Sequence, residues 1–197
     1  MANIAQILCK TVEAKDPLVA IVRCNGTFDN RPRTSMYNGA SSCVIQHALY
    51  WGDTDCPYGC LGCGDCVASC KFNALTMNYN TGLPVINDVN CTACGACVKT
   101  CPRNIIELRK KLKKDRKIFV SCVNMDKGGI AKKYCAVACT GCTKCFKICT
   151  YNAVKMENNL AYIDCNLCKL CRKCSPECPT NAIHELNFPP RKNTAET

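Results

Sequence analysis

Short apolar segments, bounded by polar or cysteine-rich stretches, make up the hydrophobic pattern of this 197-residue chain. The segments Val19–Val22 and Ile118–Val120 are each followed, two residues on, by a cysteine, and we predict a strand at both. The segments Leu83–Ile86 and Leu160–Ile163 predict the return strands of two further units. No segment approaches the 18 consecutive apolar residues that a membrane-spanning helix needs, so the chain is not expected to cross a membrane by itself.

A second repeated signal, Cys-x-x-Asn followed by two apolar residues, occurs four times. Its asparagines are Asn73, Asn104, Asn152 and Asn181. Asparagine favours turns, so each repeat predicts the end of a short turn that leads into a strand. The repeats come in two pairs, and each pair predicts one compact unit.

Cysteine dominates the composition, with 23 residues, or about 12% of the chain. Aromatic residues make up only 7%, so a large conventional core is not expected. The segment Met1–Leu8 lacks the features of a secretory signal, which predicts a reducing, cytosolic context. In that context dense cysteine indicates metal binding rather than disulfides.

Four cysteine runs share the spacing C-x2-C-x2-C-x3-C, and they begin at Cys60, Cys91, Cys139 and Cys168. The fourth run has a second register starting at Cys165. We prefer Cys168 because the predicted strand before it then ends the same number of residues before the run as the predicted strand before Cys91 does. This spacing is typical of bacterial ferredoxins with two [4Fe–4S] clusters, in which the fourth cysteine of a run binds the other cluster of the pair.

The spacing therefore predicts four [4Fe–4S] clusters with crossed ligands. In the first pair, one cluster is expected to bind Cys60, Cys63, Cys66 and Cys101, and the other Cys91, Cys94, Cys97 and Cys70. In the second pair, one is expected to bind Cys139, Cys142, Cys145 and Cys178, and the other Cys168, Cys171, Cys174 and Cys149. Zinc is the alternative, but zinc ribbons use pairs of cysteines rather than triples. A disulfide scaffold is a further alternative.

Four more cysteines hold matching positions in the two halves of the sequence: Cys24, Cys56, Cys122 and Cys135. They are interpreted either as small buried hydrophobic residues or as supporting or additional cluster ligands. The remaining Cys9, Cys43 and Cys165 have no partner that the sequence identifies. No nucleophile–His–carboxylate set, phosphate loop or dinucleotide motif is found, so no catalytic residue is predicted.

The formal net charge is +11. Four clusters with their thiolates carry about −2 each, which lowers the total to roughly +3. The basic run Arg109–Lys117 is interpreted as a solvated connector, as a docking patch for an acidic ferredoxin or as a contact with anionic lipid. No aromatic residues are interleaved with the run, so nucleic acid is not an expected partner.

Three stretches resemble the B subunit of the Rnf complex, an ion-translocating ferredoxin:NAD⁺ oxidoreductase. They begin at Val22-Arg-Cys24, at Cys56-Pro-Tyr-Gly-Cys60 and at Asp126-Lys-Gly-Gly. The resemblance implies the cytoplasmic polyferredoxin part of such a subunit without its N-terminal membrane anchor, peripheral at the cytoplasmic face of the inner membrane. It implies that the chain relays electrons from reduced ferredoxin, together with the other Rnf subunits, to a complex that reduces NAD⁺ and exports Na⁺ or H⁺. The alternative is a polyferredoxin subunit of a soluble hydrogenase or oxoacid oxidoreductase.

The expected fold is α+β, with tandem ferredoxin-like modules of two [4Fe–4S] clusters each. We predict an N-terminal segment at 1–58, a first module at 59–108, a basic connector with a strand and helix at 109–137, a second module at 138–187 and a mobile tail at 188–197.

Overall fold

The structure is a computed structural model that describes residues 16–49 and 52–191. Cys9 and the last six residues of the predicted tail lie outside the described residues. No helix in the described ranges is long and apolar enough to cross a membrane.

Eight short strands form the framework of the described part of the chain: β1 (Leu18–Val22), β2 (Leu75–Asn78), β3 (Leu83–Ile86), β4 (Ile106–Lys110), β5 (Lys117–Val120), β6 (Val154–Glu157), β7 (Leu160–Ile163) and β8 (Ile183–Leu186). The strands predicted at positions 19–22, 83–86, 118–120 and 160–163 are confirmed. In the described residues the strands pair into four antiparallel two-stranded sheets, β1–β4, β2–β3, β5–β8 and β6–β7. The first and last strands of each half therefore pair, with a hairpin between them in sequence.

Five short helices accompany these strands within residues 16–49 and 52–191: α1 (Cys43–Leu49), α2 (Asp65–Ala68), α3 (Ala96–Thr100), α4 (Gly128–Tyr134) and α5 (Lys144–Ile148), with a 3₁₀ turn at Lys113–Asp115. Three of them, α2, α3 and α5, begin inside a cysteine run and contain its third cysteine. Each of these three helices follows a residue in the left-handed conformation, which turns the chain sharply after the second cysteine. The local backbone thus folds each of these runs back on itself.

The four repeated asparagines have the same backbone conformation. Asn73, Asn104, Asn152 and Asn181 have φ values of 50°, 51°, 51° and 52°. Asparagine enters this left-handed region more readily than most residues. A strand begins two residues after each of them, which confirms the predicted turns.

Two large apolar clusters form most of the core, one in each half. In the first, Ile105, Ile106 and Leu75 pack around buried Cys60, Cys66 and Cys97. In the second, Val120, Ile163 and Ile183 pack around buried Cys139, Cys145 and Cys174. Large apolar side chains are few among the described residues, and thiol groups occupy much of the interior.

Polar contacts join the two halves at the predicted basic connector. Arg109 is only 3% exposed, donates to the carbonyl of Ile118 at 3.3 Å and forms an ion pair with Glu107. Lys117 is 4% exposed and pairs with Asp88 at 2.5 Å. For these two residues both the solvated-connector and the docking-patch interpretations are wrong, because the charges are neutralised inside the fold.

Tyr162 lies at the same junction. The guanidinium carbons of Arg23 and Arg109 are each 5.0 Å from the centre of its ring. Arg23 also donates to the carbonyls of Val120 and Cys122, at 3.4 and 3.2 Å. These cation–π contacts and hydrogen bonds hold the first half against the second.

Candidate metal centres

The first centre is a cavity lined by four cysteines, Cys43, Cys60, Cys66 and Cys101, and the space among its lining atoms, counted together with adjoining open solvent, is about 380 Å³. Three of these are predicted ligands of one cluster. Cys101 comes from the next run along the sequence, as the crossed arrangement requires. Cys43 is the unexpected member.

Cys43 reaches this cavity because α1 packs beside the first run. Asp65, the first residue of α2, accepts hydrogen bonds from the Ser42 hydroxyl at 2.9 Å and from the Val44 amide at 3.4 Å. The predicted ligand Cys63 does not line the cavity but lies within hydrogen-bonding range of Cys43. Burial and the neighbouring Cys43 raise the pKa of Cys63 to about 12. No spacing rule links Cys43 to a run that starts 17 positions later, so sequence reasoning had no signal that could find it.

The second centre is a cavity of about 300 Å³ that contains all four cysteines of the second predicted set, Cys70, Cys91, Cys94 and Cys97. Strand β1 forms one wall, where the Ala20 amide donates to the sulfur of Cys91 at 3.5 Å. Ala20 of β1 therefore contributes directly to a site formed by cysteines 50 or more positions away from it in sequence.

The third centre, of about 330 Å³, contains the third predicted set, Cys139, Cys142, Cys145 and Cys178. The Ala182 amide donates to the sulfur of Cys178 at 3.2 Å. Thr180 is buried beside it and donates to the carbonyl of Ala138 at 2.7 Å. These bonds fix the chain that brings Cys178 back from the fourth run.

The fourth set is grouped by electrostatic contact. The pKa of Cys174 is raised to about 12, chiefly by burial and also by Cys168, Cys145 and Cys171. Burial likewise raises the pKa of Cys168, to which Cys171 and Cys149 contribute. Cys168 thus lies within electrostatic range of each of the other three predicted ligands, Cys149, Cys171 and Cys174. Cys165 lies instead within range of Lys110 and Tyr162.

In each of the four runs the third cysteine is more buried than the middle cysteine. The third cysteine is buried in every run: Cys66, Cys97, Cys145 and Cys174. The middle cysteine is exposed in three runs, as Cys94, Cys142 and Cys171. Each of those three sites thus has an inner edge in the core and an outer edge at the surface.

The donor set fits iron–sulfur clusters. All 22 cysteines that the structure describes are free thiols. Burial raises the pKa of Cys66 to about 12 and that of Cys145 to about 11, so the thiols release protons only to a strongly binding cation. Backbone amides that donate to sulfur, such as Val67 to Cys66, favour the thiolate.

Within the described ranges no three His, Cys, Asp or Glu side chains are placed to hold a single metal ion. The four thiolates of a [4Fe–4S] cluster bind four different irons rather than one.

Comparison with known families agrees with this chemistry. A model of the 4Fe-4S dicluster domain matches residues 59–105 and 90–153. The chain is therefore an iron–sulfur protein with a ferredoxin-like dicluster fold, and its cysteine content is consistent with four [4Fe–4S] clusters.

Curated relatives define the family more closely. Over 186 residues, 93% of the chain, it is 44% identical to the B subunit of the proton-translocating ferredoxin:NAD⁺ oxidoreductase complex of Clostridium ljungdahlii. It is 37% identical over 182 residues to the Na⁺-translocating counterpart of Acetobacterium woodii, and 36% identical over 181 residues to the B subunit of the ion-translocating oxidoreductase complex of Methanosarcina acetivorans. The last two matches each cover 92% of the chain.

The chain belongs to this family of B subunits, which confirms the resemblance. The chain spans 64% of the length of the first relative, 54% of the second and 67% of the third. It therefore covers less than two thirds of the first two relatives.

Proposed function

We propose that the chain is an electron-transfer subunit of an ion-translocating ferredoxin:NAD⁺ oxidoreductase complex. The observation that carries the proposal is the crossed grouping of cysteines, in which each run receives its fourth thiol from the neighbouring run. Such grouping is typical of paired [4Fe–4S] clusters. When bound, these clusters supply one-electron transfer without a proton or substrate atom.

The proposed architecture is two modules of two clusters each. The cluster ligands are the four sets predicted from spacing, with Cys43 as a further candidate beside Cys63 in the first set. The protein holds each set by folding a run around a left-handed residue and by sealing its inner side with the apolar clusters. It also directs backbone N–H groups at the sulfurs, which tunes the reduction potential.

The electron donor in this proposal is a reduced, acidic ferredoxin that docks at the second half. Cys142 and Cys171 are exposed there. Exposed lysines stand close to them in sequence, Lys144 and Lys147 on α5 and Lys169 and Lys173 on either side of Cys171. Positive charge around an exposed cluster edge would speed the encounter with an acidic partner.

The other subunits of the complex are the proposed acceptors and the means of membrane contact. The chain is then peripheral at the cytoplasmic face of the inner membrane. The alternative, a polyferredoxin subunit of a soluble oxidoreductase, uses the same clusters with different partners.

The test is anaerobic stopped-flow mixing of reduced ferredoxin with the cluster-loaded chain. We expect rapid oxidation of the ferredoxin at a rate that falls as salt is added. Charge reversal at Lys144 and Lys147 should slow the reaction about tenfold and weaken its salt dependence, because two attractive charges become repulsive.

Lys114→Glu, in the basic run, is the matched control and should leave the rate unchanged. An equal decrease of the rate in the control would indicate that the ferredoxin docks at the basic run instead. A loaded chain that dithionite reduces but ferredoxin does not would contradict the proposed donor and favour the alternative.

A further inference from the structure

A further cavity lies between the two halves, and four cysteines outside the predicted ligand sets line it: Cys24, Cys56, Cys122 and Cys135. Each half supplies two of them, from matching positions in the sequence. The space among its lining atoms, counted together with adjoining open solvent, is about 330 Å³, and the same quantity is 300 to 380 Å³ for the three cysteine-lined sites described above.

The ends of two strands bring the first two thiols together. Cys24 follows β1 and Cys122 follows β5, each by two residues. The Asn25 amide donates to the carbonyl of Ser121 at 3.2 Å, which joins the two chain segments directly after their strands. Cys24 and Cys122 therefore enter the cavity side by side from opposite halves.

The other two thiols, Cys56 and Cys135, are buried. The side chain of Asn124, 1% exposed, donates to the sulfur of Cys56 at 3.7 Å. The Ala136 amide donates to the carbonyl of Asn30 at 2.8 Å, which ties the segment around Cys135 to the first half.

The amide pattern at these sulfurs matches that at the predicted ligands. The Asn124 amide donates to Cys122 at 3.5 Å, and the Val137 amide donates to Cys135. In each pair the donor lies two positions after the cysteine. The same offset relates Gly62 to Cys60 and Leu170 to Cys168. Donors of this kind stabilise metal-bound thiolates.

Arg31 supplies a buried positive charge at the cavity wall. Its guanidinium donates to the carbonyl of Cys60 at 2.5 Å, while its Nε is buried without a hydrogen-bond partner among the described residues. Gly59 leaves room for the guanidinium in this position, because a Cβ there would overlap Nη1 of Arg31 and the arginine side chain would have to shift. A cavity filled only by small hydrophobic residues would not need a buried cation.

We propose that Cys24, Cys56, Cys122 and Cys135 bind a fifth [4Fe–4S] cluster between the two modules. Binding of the assembled cluster requires the four thiols to lose four protons, as each thiolate sulfur forms a bond to one of the four irons. The inference rests on the proposed electron-transfer function and adds a link to it.

The position suits a bridge between the first and third centres. Cys56 precedes Cys60 by four positions, and Cys135 precedes Cys139 by four, so each pair is at most about 14 Å apart. The Cys139 amide also donates to Cys122, while Cys24 lies within electrostatic range of Cys60. The fifth site thus adjoins one candidate centre in each half.

Anaerobic native mass spectrometry of the reconstituted chain tests the proposal, with iron and acid-labile sulfide measured on the same sample. We expect the fully loaded species to carry five clusters, with about 20 iron and about 20 sulfide per chain. A heaviest species with four clusters would overturn the fifth site but leave the proposed function intact. A chain that carries zinc instead of iron would overturn both.

Variants then locate the cluster. Cys24→Ser with Cys122→Ser should reduce the heaviest species from five clusters to four, and so should Cys135→Ser alone. Cys165→Ser, the matched control, should retain five. Five clusters in both cavity variants would contradict the location. If the double variant lost more than one cluster, the Cys135→Ser variant would still show whether the fifth cluster is bound in this cavity. The mass of the wild-type chain would still give the number of clusters.

Discussion

Cys43 and Cys63 are two thiols for one position in the first centre. Cys43 lines the cavity with Cys60 and Cys66, while Cys63 belongs to the run and lies within hydrogen-bonding range of Cys43. We predict that Cys43→Ser and Cys63→Ser each retain this cluster, because the remaining thiol can replace the lost one. The double variant should lose about four iron per chain, measured against wild type. Loss of the cluster in one single variant alone would instead identify that cysteine as the sole ligand.

His184 predicts a pH dependence of stability. Burial in β8 lowers its pKa below the usual value, and its ring lies 6.1 Å from that of Phe119. As the pH falls below about 6.5, this histidine takes up a proton in the unfolded chain but not yet in the folded chain. The free energy of unfolding therefore decreases until the pH reaches the lowered pKa of the folded chain.

The measurement is the midpoint temperature of thermal cluster loss at about pH 7.5 and at about pH 5.5. The decrease in this midpoint on acidification should be larger in the wild-type chain than in the His184→Gln variant. Equal pH dependence in the two proteins would exclude a contribution from this histidine.

The turns before the strands depend on asparagine in a left-handed conformation. Asn152, exposed and at φ 51°, leads into β6. We predict that Asn152→Ala destabilises the fold by about 1 kcal/mol, because a Cβ opposes this conformation and alanine lacks the compensating side chain. Asn152→Gly should remain near wild type.

Asn166→Ala is the control, since Asn166 is exposed and is not among the residues with positive φ. The measurement is the midpoint of thermal unfolding of the loaded chain. An alanine variant as stable as wild type would show that the turn does not depend on its asparagine.

Local elements were predictable where the chain repeats itself. Cysteine spacing and the asparagine signal each occur four times, so the hairpin strands β3 and β7 and the turns followed from the sequence. The pairing of β1 with β4 was not foreseen. The paired residues lie more than 80 positions apart in sequence, and the apolar pattern of a strand alone does not determine which other strand it pairs with. Cys43 was missed because its approach depends on a helix packed across the run.

At the scale of the whole molecule, the buried Arg109 and Lys117 show why the charge pattern misled. A basic run is usually solvated, but in this one Arg109 pairs with Glu107 on the same strand, β4, and Lys117 at the start of β5 pairs with Asp88 of the first half. Only the folded contacts reveal such pairing.

Few large apolar side chains are available to hold the folded state. Among the described residues, the largest that are fully buried are Ile105, Ile163, Val19, Val120 and Asn124. We predict that the iron-free chain, prepared by chelation, has no cooperative unfolding transition, because cluster binding supplies the free energy that a larger core would give. Circular dichroism during heating measures this. A sharp transition in the iron-free chain would contradict the prediction.

The central claim is that the chain is an iron–sulfur electron carrier. Its most direct test is iron, acid-labile sulfide and zinc per chain in anaerobically purified protein, with a low-temperature EPR spectrum after reduction. The account predicts equal iron and sulfide, at least about 16 of each, negligible zinc and spin-coupled signals from paired clusters. One or two zinc ions with little iron would contradict it.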